Sequence, residues 1–163
     1  MKRLLTQKNT TYEGGQFHMR KFLLIGSVII IIAFFVQFEP FRDEPPDPRV
    51  EIQEKSIPTV QGTFCWSGMF SGQCVDKIYV DGLHMTEKSK PVTVMPNEKI
   101  QISFDPEPDT IKILRFNKET GKRVTLKNNQ LVTPKEAGTY AYELQARWSE
   151  NGDGQFAFLI KVD

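Results

Sequence analysis

The sequence predicts a mainly β protein, a β-sandwich preceded by one N-terminal transmembrane helix. Three observations carry that expectation. Residues 22–38 form an uncharged, almost wholly apolar run. Apolar and polar residues alternate with period two over long stretches near the C-terminus. Turn-forming residues recur at short intervals between them.

The run at 22–38 reads FLLIGSVIIIIAFFVQF, in which only Gly26, Ser27 and Gln37 are not strongly apolar. As a helix at about 1.5 Å per residue it reaches roughly 26 Å, a little under the ~30 Å hydrocarbon core. Arg20, Lys21 and Arg42 on its flanks can snorkel across the difference. Residues 28–34 have no polar face, which argues against a helix buried in a soluble core. Charge then sets the orientation. Residues 1–21 hold Lys2, Arg3, Lys8, Arg20 and Lys21 against Glu13, a net +4. Residues 39–55 hold Arg42, Arg49 and Lys55 against Glu39, Asp43, Glu44, Asp47, Glu51 and Glu54, a net −3. The positive-inside rule predicts a cell-membrane protein crossing once, with a cytoplasmic tail at 1–21 and everything after Phe38 extracytoplasmic. The tail is too short to fold alone. The exit, Phe35-Val36-Gln37-Phe38-Glu39-Pro40, has no small residues at cleavage positions and no following Cys. An uncleaved signal anchor is therefore expected, in place of a cleaved signal peptide or a lipoprotein anchor. Gly26, Ser27 and Ala33 form no G-x-x-x-G pattern for helix dimerisation.

Residues 39–58 contain Pro40, Pro45, Pro46, Pro48 and Pro58 among mixed charges. Proline removes backbone donors, so this segment reads as an extended, solvated stalk reaching up to roughly 60 Å.

Residues 59–163 are the globular unit, with 13 basic and 13 acidic residues. That balance gives no electrostatic case for nucleic acid. Ile100, Ile102 and Phe104 share one face. So do Tyr140, Tyr142, Leu144, Ala146 and Trp148, and then Phe156, Phe158, Ile160 and Val162. Period two over such lengths means half-buried strands. SENGDG at 149–154 is turn chemistry joining the last two strands into a hairpin. Residues 75–80, 92–95, 111–116 and 123–126 read as further strands, with breaks at Asp81-Gly82, Pro96-Asn97, 105–108, Thr120-Gly121 and Asn128-Asn129. Seven to nine short strands with such frequent turns suggest a sandwich.

Glu136-Ala137-Gly138-Thr139-Tyr140-Ala141-Tyr142 resembles the D-x-G-x-Y-x-C run at the start of strand F in immunoglobulin-like domains. The resemblance implies an immunoglobulin-like sandwich with Tyr140 as a structural tyrosine corner. Tyr142 stands where that family has Cys, so its inter-sheet disulfide is absent. More broadly, G-x-F-C-W-S-G…C-V-D, I-x-I-x-F-x-x-x-P and the closing G-x-Y-x-Y…W…F-x-F-x-I-x-V, over residues 60–163, resemble uncharacterised small membrane-anchored or lipid-anchored cell-surface proteins of Gram-positive bacteria. That resemblance implies a cell-surface location and carries over no catalytic residue.

Cys65 and Cys74 are the two cysteines, and an exported pair is expected to form a disulfide. Their spacing is wrong for C-x-x-C redox chemistry. A zinc site needs two more ligands, where His84 is the one other soft ligand in this unit. Free thiols in a weakly oxidising environment remain an alternative. Trp66, Met69 and Phe70 on the tethered loop are candidate binding residues, although Trp66 reads better as a plug for one end of the core. Lys118, Lys122, Arg123 and Lys127 near Arg115 form a basic cluster, readable as a site for anionic envelope polymers or as a solvated strand face. Asn151-Gly152-Asp153-Gly154 fits a hairpin turn better than a calcium loop, because the terminal bidentate ligand would fall on Ile160. No G-x-S-x-G, H-E-x-x-H or S-x-x-K motif occurs.

The expected function is non-catalytic. It is a single-pass binding or adaptor module held in the bilayer through residues 22–38 and contacting a protein or cell-envelope component. A carrier of a metal ion or small ligand is the alternative. No cofactor, resident metal or nucleic acid is expected.

Overall fold

In the computed structural model the chain is described over residues 14–38, 42–118 and 120–163, with side chains over 20–35, 42–118 and 121–163. It divides into two compact units, Met1–Pro40 and Phe41–Asp163.

The first unit contains one helix, α1 (Gly14–Phe38, 25 residues). It begins inside the segment expected as a free tail, since after the Gly14-Gly15 pair no proline or further glycine interrupts the helix up to Lys21. Phe22, Leu23, Leu24, Ile25, Val28 to Ile32, Phe34 and Phe35 are all exposed, so α1 presents apolar side chains all round. The Ser27 hydroxyl donates to the Leu24 carbonyl at 2.8 Å and makes no polar demand beyond the helix. Among the described residues no helix is long and apolar enough to cross a membrane.

The second unit is mainly β, with two sheets sharing one core. The smaller sheet has the order β2 (Lys55–Ser56), β1 (Arg49–Ile52), β6 (Lys99–Ser103) and β9 (Gln130–Val132). The larger sheet runs β4 (Gly72–Val75), β3 (Thr59–Ser67), β11 (Gly152–Val162), β10 (Gly138–Trp148), β7 (Thr110–Asn117) and β8 (Thr120–Val124). A short β5 (Val92–Val94) joins it, parallel to β11 at Ile160–Val162. All other pairings are antiparallel.

Alternation in β10 and β11 does what period two demands. Tyr142, Leu144, Ala146 and Trp148 meet Phe156, Phe158 and Ile160 on the inner face, facing Val50, Ile52, Ile100, Ile102 and Leu131 of the smaller sheet. Tyr142 stacks on Phe158 at 5.0 Å. Trp148 meets Trp66 edge-on at 5.1 Å and Phe104 at 5.5 Å, and its indole N–H donates to the Pro106 carbonyl at 2.9 Å.

Three features depart from the sequence reading. The first is the stalk. Pro45, Pro46, Pro48, Val50, Ile52 and Ile57 are buried, and β1 pairs with β6 through Val50↔Ile102. Residues 42–58 are therefore part of the β unit and not a solvated spacer. The prolines sit outside the ladder, so their missing donors cost nothing there, and R-V-E-I supplies a short alternating strand. The second is the segment 75–80. Its strand stops at Val75, and Ile78 and Val80 stand exposed. The third is burial on both faces of the middle of β10 and β11. Ala141, Glu143 and Ala157 on the outer face are covered beneath a short helix, α2 (Gly82–Met85), and a Cβ on Gly82 would lie 3.1 Å from Glu143.

Ile52→Ala should lower unfolding free energy by about 3 kcal/mol in urea titration, whereas a free spacer predicts an unchanged midpoint.

Candidate functional site

Antiparallel pairing of β3 with β4 sets Cys65 directly opposite Cys74, and the two form a disulfide with S–S 2.00 Å and Cα–Cα 4.0 Å. The cross-link lies on the outer, exposed face, one residue from Trp66. Residues 68–71 close the hairpin, with the Gly68 N–H donating to the Ser71 carbonyl at 2.7 Å.

The three candidate binding residues separate here. Trp66 is 4 % exposed and belongs to the aromatic core, so it is not available as a surface contact, whereas Met69 and Phe70 are 65 % and 67 % exposed at the tip. Alternation explains the split. Phe64 and Trp66 point inward while Cys65 and Ser67 point outward, and the turn beyond Ser67 releases the next residues from the core. Ile78 and Val80, 94 % and 85 % exposed, add apolar surface that a strand reading of 75–80 conceals. Their segment is tied to β3 where the Lys77 N–H donates to the Thr63 hydroxyl at 3.1 Å and its ammonium to the Gln61 carbonyl at 2.9 Å.

The hairpin is pinned at its base. Asn151 donates from its side chain to the Ser67 carbonyl at 3.0 Å and accepts from the Ser67 N–H at 2.7 Å. Gly152 has φ +131°, and a Cβ there would fall 2.1 Å from the Cys65 carbonyl oxygen. Only glycine permits this approach of the 149–152 turn to β3. The Ser149 N–H donates to Asp109 at 2.6 Å, which holds that carboxyl below its usual range. A shallow cleft of about 300 Å³ runs over the disulfide beside Gln73 and Asn151.

His84 is a local structural group. Its Nδ1 accepts from the Val80 N–H at 3.2 Å, and its own N–H donates to Asp81, the N-cap of α2. Among the described residues no group of three or more His, Cys, Asp or Glu could hold a metal ion.

The basic cluster also divides. Arg115 and Lys122 line a second cleft, of about 340 Å³, with Lys135, Glu136 and Tyr140, while Lys118, Arg123 and Lys127 do not line it. The Tyr140 hydroxyl donates to the Glu136 carbonyl at 2.9 Å, and the Arg115 guanidinium lies 5.7 Å from the Tyr140 ring centre. Two residues along the strand, the buried Tyr142 hydroxyl lies beside the Arg115 guanidinium but has no partner at hydrogen-bond geometry among the described residues. Burial pushes its pKa up to about 12, with the Arg115 charge opposing the rise.

Comparison with protein-family models, with curated proteins and with solved structures finds no match for this chain.

Two outcomes follow from the burial. Trp66→Ala should cost about 3–5 kcal/mol, and Phe70→Ala should stay within about 0.5 kcal/mol of the parent, both read by chemical denaturation. Tyr142→Phe removes an unpaired buried hydroxyl and should leave stability at pH 7 unchanged or raised by about 1 kcal/mol. The Tyr142 pKa is raised from 10.0 to about 12 on folding, so the group leaves stability independent of pH below 10 and lowers it as pH rises from 10 towards 12, where the folded state resists ionising the buried hydroxyl. Between those pH values the Phe variant should lose less stability than the parent.

Proposed function

We propose that the chain is a single-pass, membrane-anchored extracytoplasmic binding module of the immunoglobulin-like class, non-catalytic, which contacts a protein or cell-envelope partner through the β3–β4 tip. The observation that carries the reading is the tip itself. Met69 and Phe70 are held exposed on a hairpin that is closed by the Cys65–Cys74 disulfide and anchored to the core by Trp66. Large apolar groups on a preorganised loop lose little entropy on binding, which is how a contact surface gains affinity.

The anchoring part rests on α1. Its apolar side chains are exposed all round, with no polar face to turn towards water. Together with the charge step from +4 to −3 across residues 22–38, this supports a signal anchor with residues 1–21 cytoplasmic. A disulfide fits the oxidising side of a membrane.

Strand order supports the immunoglobulin-like assignment. β1, β6 and β9 correspond to strands A, B and E, and β11, β10 and β7 to G, F and C, with β8 at the C′ edge. Tyr140 at the start of β10 bonds four residues back, as a tyrosine corner does. In this alignment β3 and β4 form an added hairpin, and the candidate contact surface belongs to it.

A photo-crosslinker at position 70 of the full chain in intact cells should capture one discrete partner. Phe70→Ala and Met69→Ser should abolish the same adduct, obtained from a crosslinker at position 73, without lowering the melting temperature. Equal adduct yields with and without those substitutions would sink the tip as a contact. Labelling of a cysteine introduced at position 10 by an impermeant reagent in intact cells would reverse the topology.

A further inference from the structure

We propose that the cleft between β7, β8 and residues 134–136 binds a phosphate group carried as a monoester or diester. This cleft is separate from the β3–β4 tip, and strand register assembles it. Arg115 is the direct cross-strand partner of Tyr142 on one side and of Lys122 on the other. Directly opposed residues of an antiparallel pair share a face, so both cations lie on the face that carries Tyr142 into the core. Two like charges set opposite one another destabilise a sheet. The sequence bears that cost with a third cation, Lys135, brought in from the loop between β9 and β10.

Among the described residues neither Arg115 nor Lys122 nor Lys135 has a carboxylate within ion-pair distance. Glu136 lines the same cleft and is paired with none of them. Three cations against one carboxylate leave the lining at net +2, the complement of a phosphate and the wrong sign for a metal ion.

The guanidinium is also oriented in advance. It lies against the Tyr140 ring, and Tyr140 is itself fixed by its hydrogen bond to Glu136. A planar donor fork held in place favours bidentate contact with phosphate oxygens. The cleft, at about 340 Å³, has room for a phosphate together with the alcohol it esterifies. A bound phosphate would turn the Arg115–Lys122 repulsion into a shared attraction, so empty and filled states differ in stability by more than a surface ion would cause.

The test uses the full chain in zwitterionic detergent micelles, with its melting temperature measured in chloride buffer at constant ionic strength. Inorganic phosphate and glycerol 3-phosphate at about 10 mM should each raise it by a few degrees. Lys122→Gln should melt higher than the parent in chloride alone, because the opposed charge is gone, and should lose the phosphate response. Lys135→Gln should lose the response without the gain. Phosphatidylglycerol added to the micelles forms a separate arm: a response to it alone assigns the phosphate to a lipid headgroup, and a response to the soluble esters assigns it to a free or polymer-borne one. Equal responses in parent and variants would reduce the effect to bulk salt and overturn the proposal. So would no response in any arm, or a lower melting point for Lys122→Gln in chloride.

Discussion

Eleven consecutive cross-strand pairs between β10 and β11, from Gly138↔Val162 to Trp148↔Gly152, are the interaction on which the β unit depends. Every strand of the larger sheet attaches to this hairpin directly or through one neighbour. β7 takes the free edge of β10, and β8 follows it. β3 takes the first part of the free edge of β11, and β5 takes the last. The inner face of the hairpin is the floor of the core, and its outer face is covered in the middle near α2. Gly152 is the closing element, since its backbone enters space that a side chain would contest with Cys65.

The same hairpin separates two surfaces. The tip of β3–β4 is fixed near the Trp148 end, where Gly152 pairs with Trp66. The basic cleft is lined by Tyr140, near the other end of the strand. Eight residues of extended chain hold the two apart by roughly 27 Å, so an apolar contact at one end and an anion at the other can coexist. The disulfide stiffens the first, and the charge opposition within one strand pair defines the second.

Much of this frame is legible from residues alone. β10, β11 and β6 announce themselves by alternation because each has one buried face over most of its length. The break at Asn128-Asn129 is equally clear: both residues have positive φ, at 53° and 58°, and asparagine tolerates that region well. The turn between β1 and β2 also has two positive φ values, 44° and 66°, but is built from Gln53 and Glu54, which give no turn signal. With that hairpin hidden and prolines crowding residues 40–48, composition suggests a stalk where the chain in fact completes a sheet. The exposed pair Ile78 and Val80 misleads for the opposite reason, since apolar alternation there lines no core. At the site, the disulfide is what two cysteines in a chain read as exported lead one to expect, whereas the cleft is not legible in this way. Arg115 and Lys122 become opposed only through register, and Lys135 joins them only through tertiary packing.

Native-state hydrogen exchange across the β unit addresses the central claim most directly. If the β10–β11 hairpin organises the fold, the paired amides of Tyr142, Leu144, Phe156 and Phe158 should exchange only through global unfolding. Amides of residues 68–71 should open at far lower free energy, and those of β1 and β9 at intermediate values. Exchange of the β10 and β11 amides through an opening of lower free energy than that of β1 or β9 would contradict the account.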